Sequence, residues 1–231
     1  MKKITKKGGP VIIVGDSPIA EVAYEYLTND SPYEVIAFTV DKKFLKEKTL
    51  MGHPVVPFEE VQIEYKPEIY KMFVAVGYPN LNRLRTRFCL DAKKKGYHLI
   101  TYISSHAFVW HNVKVGENCF ILEDNTIQPF VKIGDNVTLW SGNHIGHHST
   151  IENNCFVSSQ VVVSGFCHIG ENSFLGVNSA LSHRTTIAKD NIIAMGAVVV
   201  HNTEPEGIYV GNPARRLKKS SLDQSSLYRK G

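Results

Sequence analysis

A strict six-residue period of aliphatic side chains runs through the C-terminal half of the chain. From residue 107 the sequence divides into 16 hexads without an insertion, and the third residue of each hexad is Val, Ile or Leu, from Val109 to Val199. Such a period is typical of a parallel β-helix, in which each hexad forms one short strand and one turn and three hexads form one triangular coil. We therefore predict a β-helix with these aliphatic residues pointing inward.

The first hundred residues alternate short apolar runs with helical patterns instead. "PVIIV", "EVIAFTV" and "MFVAV" read as strands. Between the first two, Ser17 is a candidate N-cap and Pro18 the first helical residue, and "LNRLRTRFCLDAKKKG" reads as a later helix that ends at Gly96. This order predicts an α/β domain with a small Rossmann-like parallel sheet over residues 1–103, followed by a β-helix domain and tail over residues 104–231.

Ligands of open parallel sheets bind at the carboxyl ends of the strands. Here those ends carry Gly15, Asp16 and Ser17, then Asp41, then Gly77. Asp41 is suited to a ribose hydroxyl, but no second or third glycine follows Gly15, so the dinucleotide fingerprint is missing. A smaller nucleotide-containing ligand is the prediction; the alternative is a docking domain that binds nothing.

Composition excludes several function classes. The net charge is +4, the pI is about 8.8 and the basic residues are dispersed, which argues against nucleic-acid binding. The N-terminal apolar stretch "VIIV" is far shorter than a membrane span or signal-peptide core, so we expect a cytoplasmic protein. The four cysteines lack a CxxC pairing and are expected to be small buried thiols.

Three histidines fall within "NHIGHHSTIENN": His144, His147 and His148. His144 precedes the inward Ile145, so its side chain is expected to point outward from a strand, at a surface or interface. His147 lies at a turn. Residues 18 apart stack in successive coils, and the residue stacked on His147 is Gly165, which we predict to leave a gap through which a thin ligand reaches the imidazole.

The outward faces of the β-helix differ in polarity. One carries Phe120, Thr138, Trp140, Phe156 and Phe174, and another carries Lys114, Lys132, Thr150, His168 and Thr186. A contiguous aromatic face needs cover. We expect that face to pack against a second copy of the chain in a homotrimer.

Several segments together resemble the bacterial nucleotide-sugar acetyltransferases of the PglD/NeuD type: "IGHHSTI", "VSGFCHIGENSFLGVNS", "NIIAMGAVVV" and "IYVGNPAR". The resemblance implies a left-handed β-helix, and His147 as general base, with His148 where the family commonly has Glu. It also implies acetyl-CoA binding near Gly165 and Gly196 and at the GxPA[KR] motif, which is Gly211, Pro213, Ala214 and Arg215 here. The N-terminal domain would hold the nucleotide of the sugar at Gly15, Asp16, Ser17, Asp41 and Gly77.

The implied reaction is N-acetylation of a nucleotide-linked amino-dideoxy sugar, in the biosynthesis of a bacterial surface polysaccharide or glycan. A neutral imidazole suits it, because the sugar amine loses a proton as it attacks the thioester, and backbone N–H groups near Gly165 would hold the oxyanion. The partners are then acetyl-CoA and the nucleotide sugar, without a metal. The alternatives are a sugar O-acetyltransferase, a scaffold without catalysis, and a zinc enzyme resembling gamma carbonic anhydrases with His111, His147 and Glu152 as ligands. The amine or hydroxyl acceptor, and UDP, dTDP or GDP as the nucleotide, stay open.

Overall fold

The computed structural model describes residues 7–223. The chain forms two compact units, one made of Met1–Gly77 with Leu84–Ser104 and the other of Tyr78–Arg83 with Ser105–Gly231. The first is an α/β unit and the second a β-helix. The short segment Tyr78–Arg83 therefore belongs to the β-helix unit, although it lies within residues 1–103, the range predicted for the α/β domain.

A five-stranded sheet with three α-helices along its chain makes up the α/β unit. Strands β4, β2, β1 and β5 are parallel neighbours in that order, and β3 pairs with β4 in antiparallel. The elements are β1 (Gly9–Val14), α1 (Pro18–Asn29), β2 (Tyr33–Val40), a 3₁₀ turn (Lys42–Phe44), β3 (Thr49–Leu50), β4 (His53–Pro57), α2 (Val61–Glu64), β5 (Lys71–Val74), α3 (Arg83–Lys94) and β6 (Tyr102–Ile103).

The predicted strands and helices of this unit are confirmed, with shifts of one or two residues at their ends. Strand β1 is apolar and buried on both faces, as expected for a central parallel strand. Helix α1 begins at Pro18 and buries Ala20, Ala23 and Leu27. Ser17 is its N-cap residue, as predicted, although its side chain makes no capping hydrogen bond.

The β-helix consists of short strands that stack into three faces; the strands from β7 to β22 have two residues each and pair in parallel, whereas β24 pairs with β23 in antiparallel. Face 1 comprises β7 (Phe108–Val109), β10 (Thr126–Ile127), β13 (His144–Ile145), β16 (Val162–Val163), β19 (Ala180–Leu181) and β22 (Val198–Val199). Face 2 comprises β8 (Lys114–Val115), β11 (Lys132–Ile133), β14 (Thr150–Ile151), β17 (His168–Ile169) and β20 (Thr186–Ile187). Face 3 comprises β9 (Phe120–Ile121), β12 (Thr138–Leu139), β15 (Phe156–Val157), β18 (Phe174–Leu175), β21 (Ile192–Ile193), β23 (Ile208–Val210) and β24 (Arg215–Arg216).

The predicted phase of the hexads is confirmed throughout. The second residue of each strand from β7 to β22 is the aliphatic residue of its hexad, and all but the first two, Val109 and Val115, are buried. These side chains form one continuous core along the axis. Strands pair at a spacing of 18 residues, as Ile127 does with Ile145 and Ile145 with Val163. The fold is a left-handed parallel β-helix.

From β8 to β21, each turn that follows a strand contains one residue with positive φ, three places after the inward aliphatic. Because three hexads make a coil, these residues form three columns, one at each corner. The asparagine corner holds Asn118, Asn136, Asn154, Asn172 and Asp190. The aromatic corner holds Phe130, His148, Phe166 and Arg184, and the third corner holds Asp124, Gly142, Gln160, Asn178 and Gly196.

The aromatic residues of face 3 are covered by the chain itself. Phe156 and Phe174 stack at 5.5 Å, and the ring of Tyr78 lies 4.6 Å and 5.1 Å from them. Leu81 packs with Ile192 and Ile208. The expectation that this face needs a second copy is therefore wrong, because Tyr78–Arg83 folds onto it.

The cysteines are the small buried thiols that the sequence predicts. All four cysteines are free and buried, and burial raises the pKa of the Cys155 thiol to about 12. Within residues 7–223, no helix has both the length and the apolar character that a membrane span requires.

Candidate active site

His147 lies on the turn that follows strand β13, with its imidazole against the backbone of the next coil. The side chain is half-buried, and the backbone N–H of His147 donates to Oε1 of Gln128 at 2.9 Å. A Cβ placed on Gly165 would lie 2.9 Å from both Cε1 and Nε2 of His147. The imidazole of His147 therefore lies on the side of Gly165 where a side chain would otherwise be.

The neighbouring imidazole of His148 is hydrogen-bonded to His147. The two Nδ1 atoms are 3.1 Å apart and the rings are nearly perpendicular, at 89°. Phe166 packs edge-on against His147 at 5.0 Å, and the ring of His183, two coils along, lies 6.5 Å away. His147 is thus held through Nδ1 on one side and by a ring on another, while Nε2 faces Gly165.

This geometry suits proton abstraction. When the Nδ1 atoms share a hydrogen carried by His147, its Nε2 is a lone pair that can accept a proton. The peptide backbone beside that nitrogen has no side chain at Gly165, so a reacting group and a backbone donor can come within a few ångströms of each other. Both features depend on the 18-residue stacking of Gly165 on His147.

His144 is separated from this pair, although it is only three residues away. It lies on strand β13 of face 1, between Thr126 and Val162 of the adjacent strands, and it is half-buried. The outward orientation predicted from its position before Ile145 is confirmed.

The candidate cofactor residues are spread along the β-helix. Gly165 stacks on His147, whereas Gly196 belongs to the third corner, where a Cβ would meet nothing within 4 Å. Gly211 to Arg215 form the exposed turn between β23 and β24, with a cis peptide bond before Pro213. Within one chain these residues do not form a single cluster.

The candidate nucleotide residues lie at one edge of the sheet in the α/β unit. Gly15 follows β1 with φ +124°, and a Cβ there would lie 2.7 Å from the carbonyl oxygen of Ala75. That contact explains why glycine is needed at this strand end. Asp16 is exposed and Ser17 and Gly77 are partly exposed, so their polar groups face solvent at the edge.

Asp41 is engaged by a partner that the sequence analysis missed. Its carboxylate accepts two hydrogen bonds from the guanidinium of Arg87, at 2.8 Å and 3.2 Å. A cavity of about 370 Å³ lies beside this ion pair, lined by Asp41, Phe58, Glu59, Arg87, Asp91, Lys94 and Lys95. The two residues are 46 positions apart, and no local pattern in the sequence indicates their pairing.

No group of three potential metal ligands from His, Cys, Asp and Glu occurs among residues 7–223. His111, His147 and Glu152, the three candidates of the zinc alternative, are therefore not grouped as metal ligands within one chain.

Comparisons with known proteins agree with this architecture. A family model described as bacterial transferase hexapeptide (six repeats) matches residues 130–165. PerB from Caulobacter crescentus, solved with CoA and GDP-perosamine, is 26% identical, with 90% of this chain and 97% of that chain covered and a TM-score of 0.82. No curated protein sequence matches significantly.

Two further structures extend the similarity over nearly the whole chain. A histidine-to-asparagine variant of perosamine N-acetyltransferase from C. crescentus, with the same two ligands, is 25% identical, covers 91% of this chain and 98% of that one, and has a TM-score of 0.82. The acetyltransferase domain of PglB from Neisseria gonorrhoeae is 23% identical, with coverages of 90% and 99% and a TM-score of 0.81, and supports the fold alone. In its repeat, its two-unit architecture and these matches, the chain is similar to the hexapeptide-repeat nucleotide-sugar acetyltransferases of the PglD/NeuD type.

Proposed function

We propose that the protein transfers an acetyl group from acetyl-CoA to the amine of a nucleotide-linked amino-dideoxy sugar. The observation that carries the proposal is the His147 imidazole over Gly165, in a fold that matches PerB, solved with CoA and GDP-perosamine, over 90% of the chain. The histidine-to-asparagine variant of the related N-acetyltransferase was solved with the same two molecules, which supports the proposal that a histidine acts in the reaction.

In the proposed reaction His147 acts as the general base. Its Nε2 accepts a proton as the sugar nitrogen attacks the thioester carbonyl, the backbone N–H groups near Gly165 stabilise the oxyanion, and the thiolate of CoA leaves and is then protonated. Direct transfer requires no covalent intermediate with the protein. All four cysteines are buried and free, which supports a mechanism without a thiol nucleophile.

Acetyl-CoA is long enough to contact several coils. We propose that it approaches His147 beside Gly165 and extends along the β-helix toward Gly196 and the turn containing Gly211, Pro213, Ala214 and Arg215. The exposure of Arg215 supports this assignment, because an exposed guanidinium can bind phosphate groups.

The α/β unit is proposed to hold the nucleotide at the edge formed by Gly15, Asp16, Ser17, Asp41 and Gly77. Asp41→Ala should raise the KM for the sugar nucleotide and leave that for acetyl-CoA nearly unchanged. Asp41→Asn is the matched control, because it keeps an acceptor for a ribose hydroxyl but weakens the ion pair with Arg87. If both variants raise the two KM values equally, the assignment is wrong.

A homotrimer is proposed with face 1 as its interface. Phe108, Trp110, Val162 and Val200 lie exposed on this side of the β-helix, whereas the aromatic residues of face 3 are covered. Multi-angle light scattering should give a mass close to three chains, and Val162→Glu should reduce it. A monomer at micromolar concentration would contradict the proposal.

The deciding experiment is an acceptor panel with acetyl-CoA, followed by thiol release. The panel contains GDP-perosamine, UDP- and dTDP-linked amino sugars, and for each a matched sugar with hydroxyl in place of the amine. We expect activity with one amino sugar and none with its hydroxyl counterpart. Transfer to hydroxyl sugars alone would favour an O-acetyltransferase, and no acetyl-CoA binding by calorimetry would favour a scaffold.

A further inference from the structure

The aromatic corner has an unusual composition for its backbone conformation. Phe130, His148 and Phe166 have φ of 66°, 59° and 59°, and Arg184 has 61°. This left-handed conformation costs about 1–2 kcal/mol for residues other than glycine and is most readily adopted by Asn and Asp. The other two corners satisfy that preference with Asn, Asp, Gly and one Gln. Residues held against such a preference are often found at functional sites.

The side chains of this corner form a continuous stack. The ring of His148 lies between those of Phe130 and Phe166, with centroid distances of 4.6 Å and 4.8 Å and interplanar angles of 31° and 12°. The guanidinium of Arg184 covers the other side of Phe166 at 5.2 Å. His148 is therefore fixed in orientation on both faces, although it is exposed at its edge.

The stack directs Nδ1 of His148 to Nδ1 of His147, 3.1 Å away. Only one of the two nitrogens can carry the shared hydrogen when both rings are neutral. His148 is exposed, so an N–H at its Nε2 can be hydrated, whereas the side chain of His147 is half-buried, with Nε2 beside Gly165. Solvation therefore favours the pair in which His147 donates from Nδ1 and keeps a lone pair at Nε2.

We propose that His148 is a positioning residue, clamped by Phe130 and Phe166, that accepts the hydrogen bond from His147 and so fixes the base with a free Nε2. The proposal rests on the proposed function for its catalytic meaning, but the tautomer itself is independent of it. The other titratable or charged groups near the pair are His183, at 6.5 Å from His147, and Arg184, whose Nε donates to His183 at 3.3 Å. Neither contacts Nδ1 of His147.

Two substitutions of His148 separate the hydrogen bond from the stacking. His148→Asn keeps an acceptor one bond from Cγ, as Nδ1 of histidine is, and suits the left-handed backbone, but removes the ring. His148→Phe keeps the ring in a conformation that Phe130 and Phe166 already adopt, but removes the acceptor. We expect kcat to fall roughly 10- to 100-fold in His148→Phe, by analogy with the loss of other histidine-orienting partners, and KM to change little.

His148→Asn should lose clearly less activity than His148→Phe. The opposite order, with the phenylalanine variant the more active, would overturn the proposal, because it would show that the ring contributes through packing alone. Thermal unfolding of both variants controls for folding.

The direct measurement is the tautomer of His147, from ¹⁵N-edited NMR of histidine-labelled protein assigned with His147→Gln. We expect a protonated Nδ1 in the wild type and in His148→Asn, and a shift toward protonated Nε2 in His148→Phe. A wild type with protonated Nε2 would refute the positioning role. If the tautomers are as expected but His147→Gln remains fully active, the positioning role stands and the proposed general base fails.

Discussion

The asparagine and aromatic corners share the left-handed backbone conformation, but their side chains differ in chemistry. At the asparagine corner, the Nδ2 of Asn118 donates to Asn136 at 3.1 Å and that of Asn136 donates to Asn154 at 2.9 Å. These side chains are mostly buried, and the segment Tyr78–Arg83 adds an ion pair between Arg83 and Asp190 at 2.7 Å. The amide side chains of the asparagine corner thus form a ladder of hydrogen bonds from coil to coil. At the aromatic corner, Phe130 and Phe166 are exposed and have no amide groups with which to form such a ladder.

The difference shows that turn conformation and turn chemistry are separable in this fold. Asparagine favours the left-handed conformation and pairs with its equivalent in the next coil, so one corner contributes stability to the whole stack. The residues of the aromatic corner lack these amide hydrogen bonds and instead place aromatic rings around the histidine pair. We infer that the first corner maintains the β-helix and the second maintains the candidate active site, and the four predictions below test this division.

The largest expected effect comes from removing the proposed base at the aromatic corner. His147→Ala should lower kcat by about 10²- to 10⁴-fold, with little change in either KM or in the melting temperature. Raising the pH should partly restore activity if the acceptor is an amine, because more free amine is then present. Steady-state kinetics across pH and thermal melting measure these quantities. A large fall in melting temperature would show that the aromatic corner also stabilises the β-helix, which contradicts the division.

Breaking the amide ladder should affect stability without changing the chemistry. Asn136→Ala removes the hydrogen bonds that the buried Asn118 and the half-buried Asn154 make with Asn136, so we expect a loss of about 2–4 kcal/mol in the free energy of unfolding. Asn178→Ala at the third corner is the matched control, because that asparagine has the same conformation but is exposed. Equal losses in urea titrations would show that the ladder adds nothing beyond backbone preference.

The contact between Gly165 and His147 allows a smaller test of the aromatic corner. The new Cβ in Gly165→Ala would lie 2.9 Å from the imidazole and displace it. We expect kcat to fall by about tenfold or more, since small displacements of catalytic groups have effects of this order. An increase only in the KM for acetyl-CoA would indicate instead that Gly165 serves the cofactor and that the ring tolerates the methyl group.

The smallest effect is expected where stability and activity should change in opposite directions. Phe130→Asn places the preferred residue in the left-handed conformation, which should raise the free energy of unfolding by up to about 1 kcal/mol. It also removes one face of the stack on His148, so a fall of a few-fold in kcat is expected. Parallel urea titration and kinetics on one preparation measure both, and a gain in activity would argue against the clamp.

Much of the fold follows from the sequence because its repeat is local and strict. The hexad phase identifies the inward residues from Val109 to Val199, and the same 18-residue spacing brings Gly165 to His147. The stack of Phe130, His148, Phe166 and Arg184 obeys that spacing too, so it can be recognised in the sequence once the positive-φ position of the hexad is known.

Features that depend on non-repeating segments were not predictable in this way. Tyr78–Arg83 has no period, yet it folds onto Phe156 and Phe174 and removes the need for a partner there. The bidentate ion pair of Asp41 with Arg87 joins the end of a strand to a helix 46 residues later. Both arise from long-range packing, for which composition and local propensity carry no signal.

The C-terminal turn that contains Gly211 and Ala214 also determines how the β-helix can grow. A parallel β-helix ends in strands with unpaired backbone groups, which can recruit another copy end to end. Here the carbonyl of Gly211 and the N–H of Ala214 bond to Val198 on β22, Asn202 and Thr203 bond to the backbone around β20, and β23 pairs with β21. The C-terminal segment of the chain therefore covers strand edges that another copy could otherwise pair with at this end.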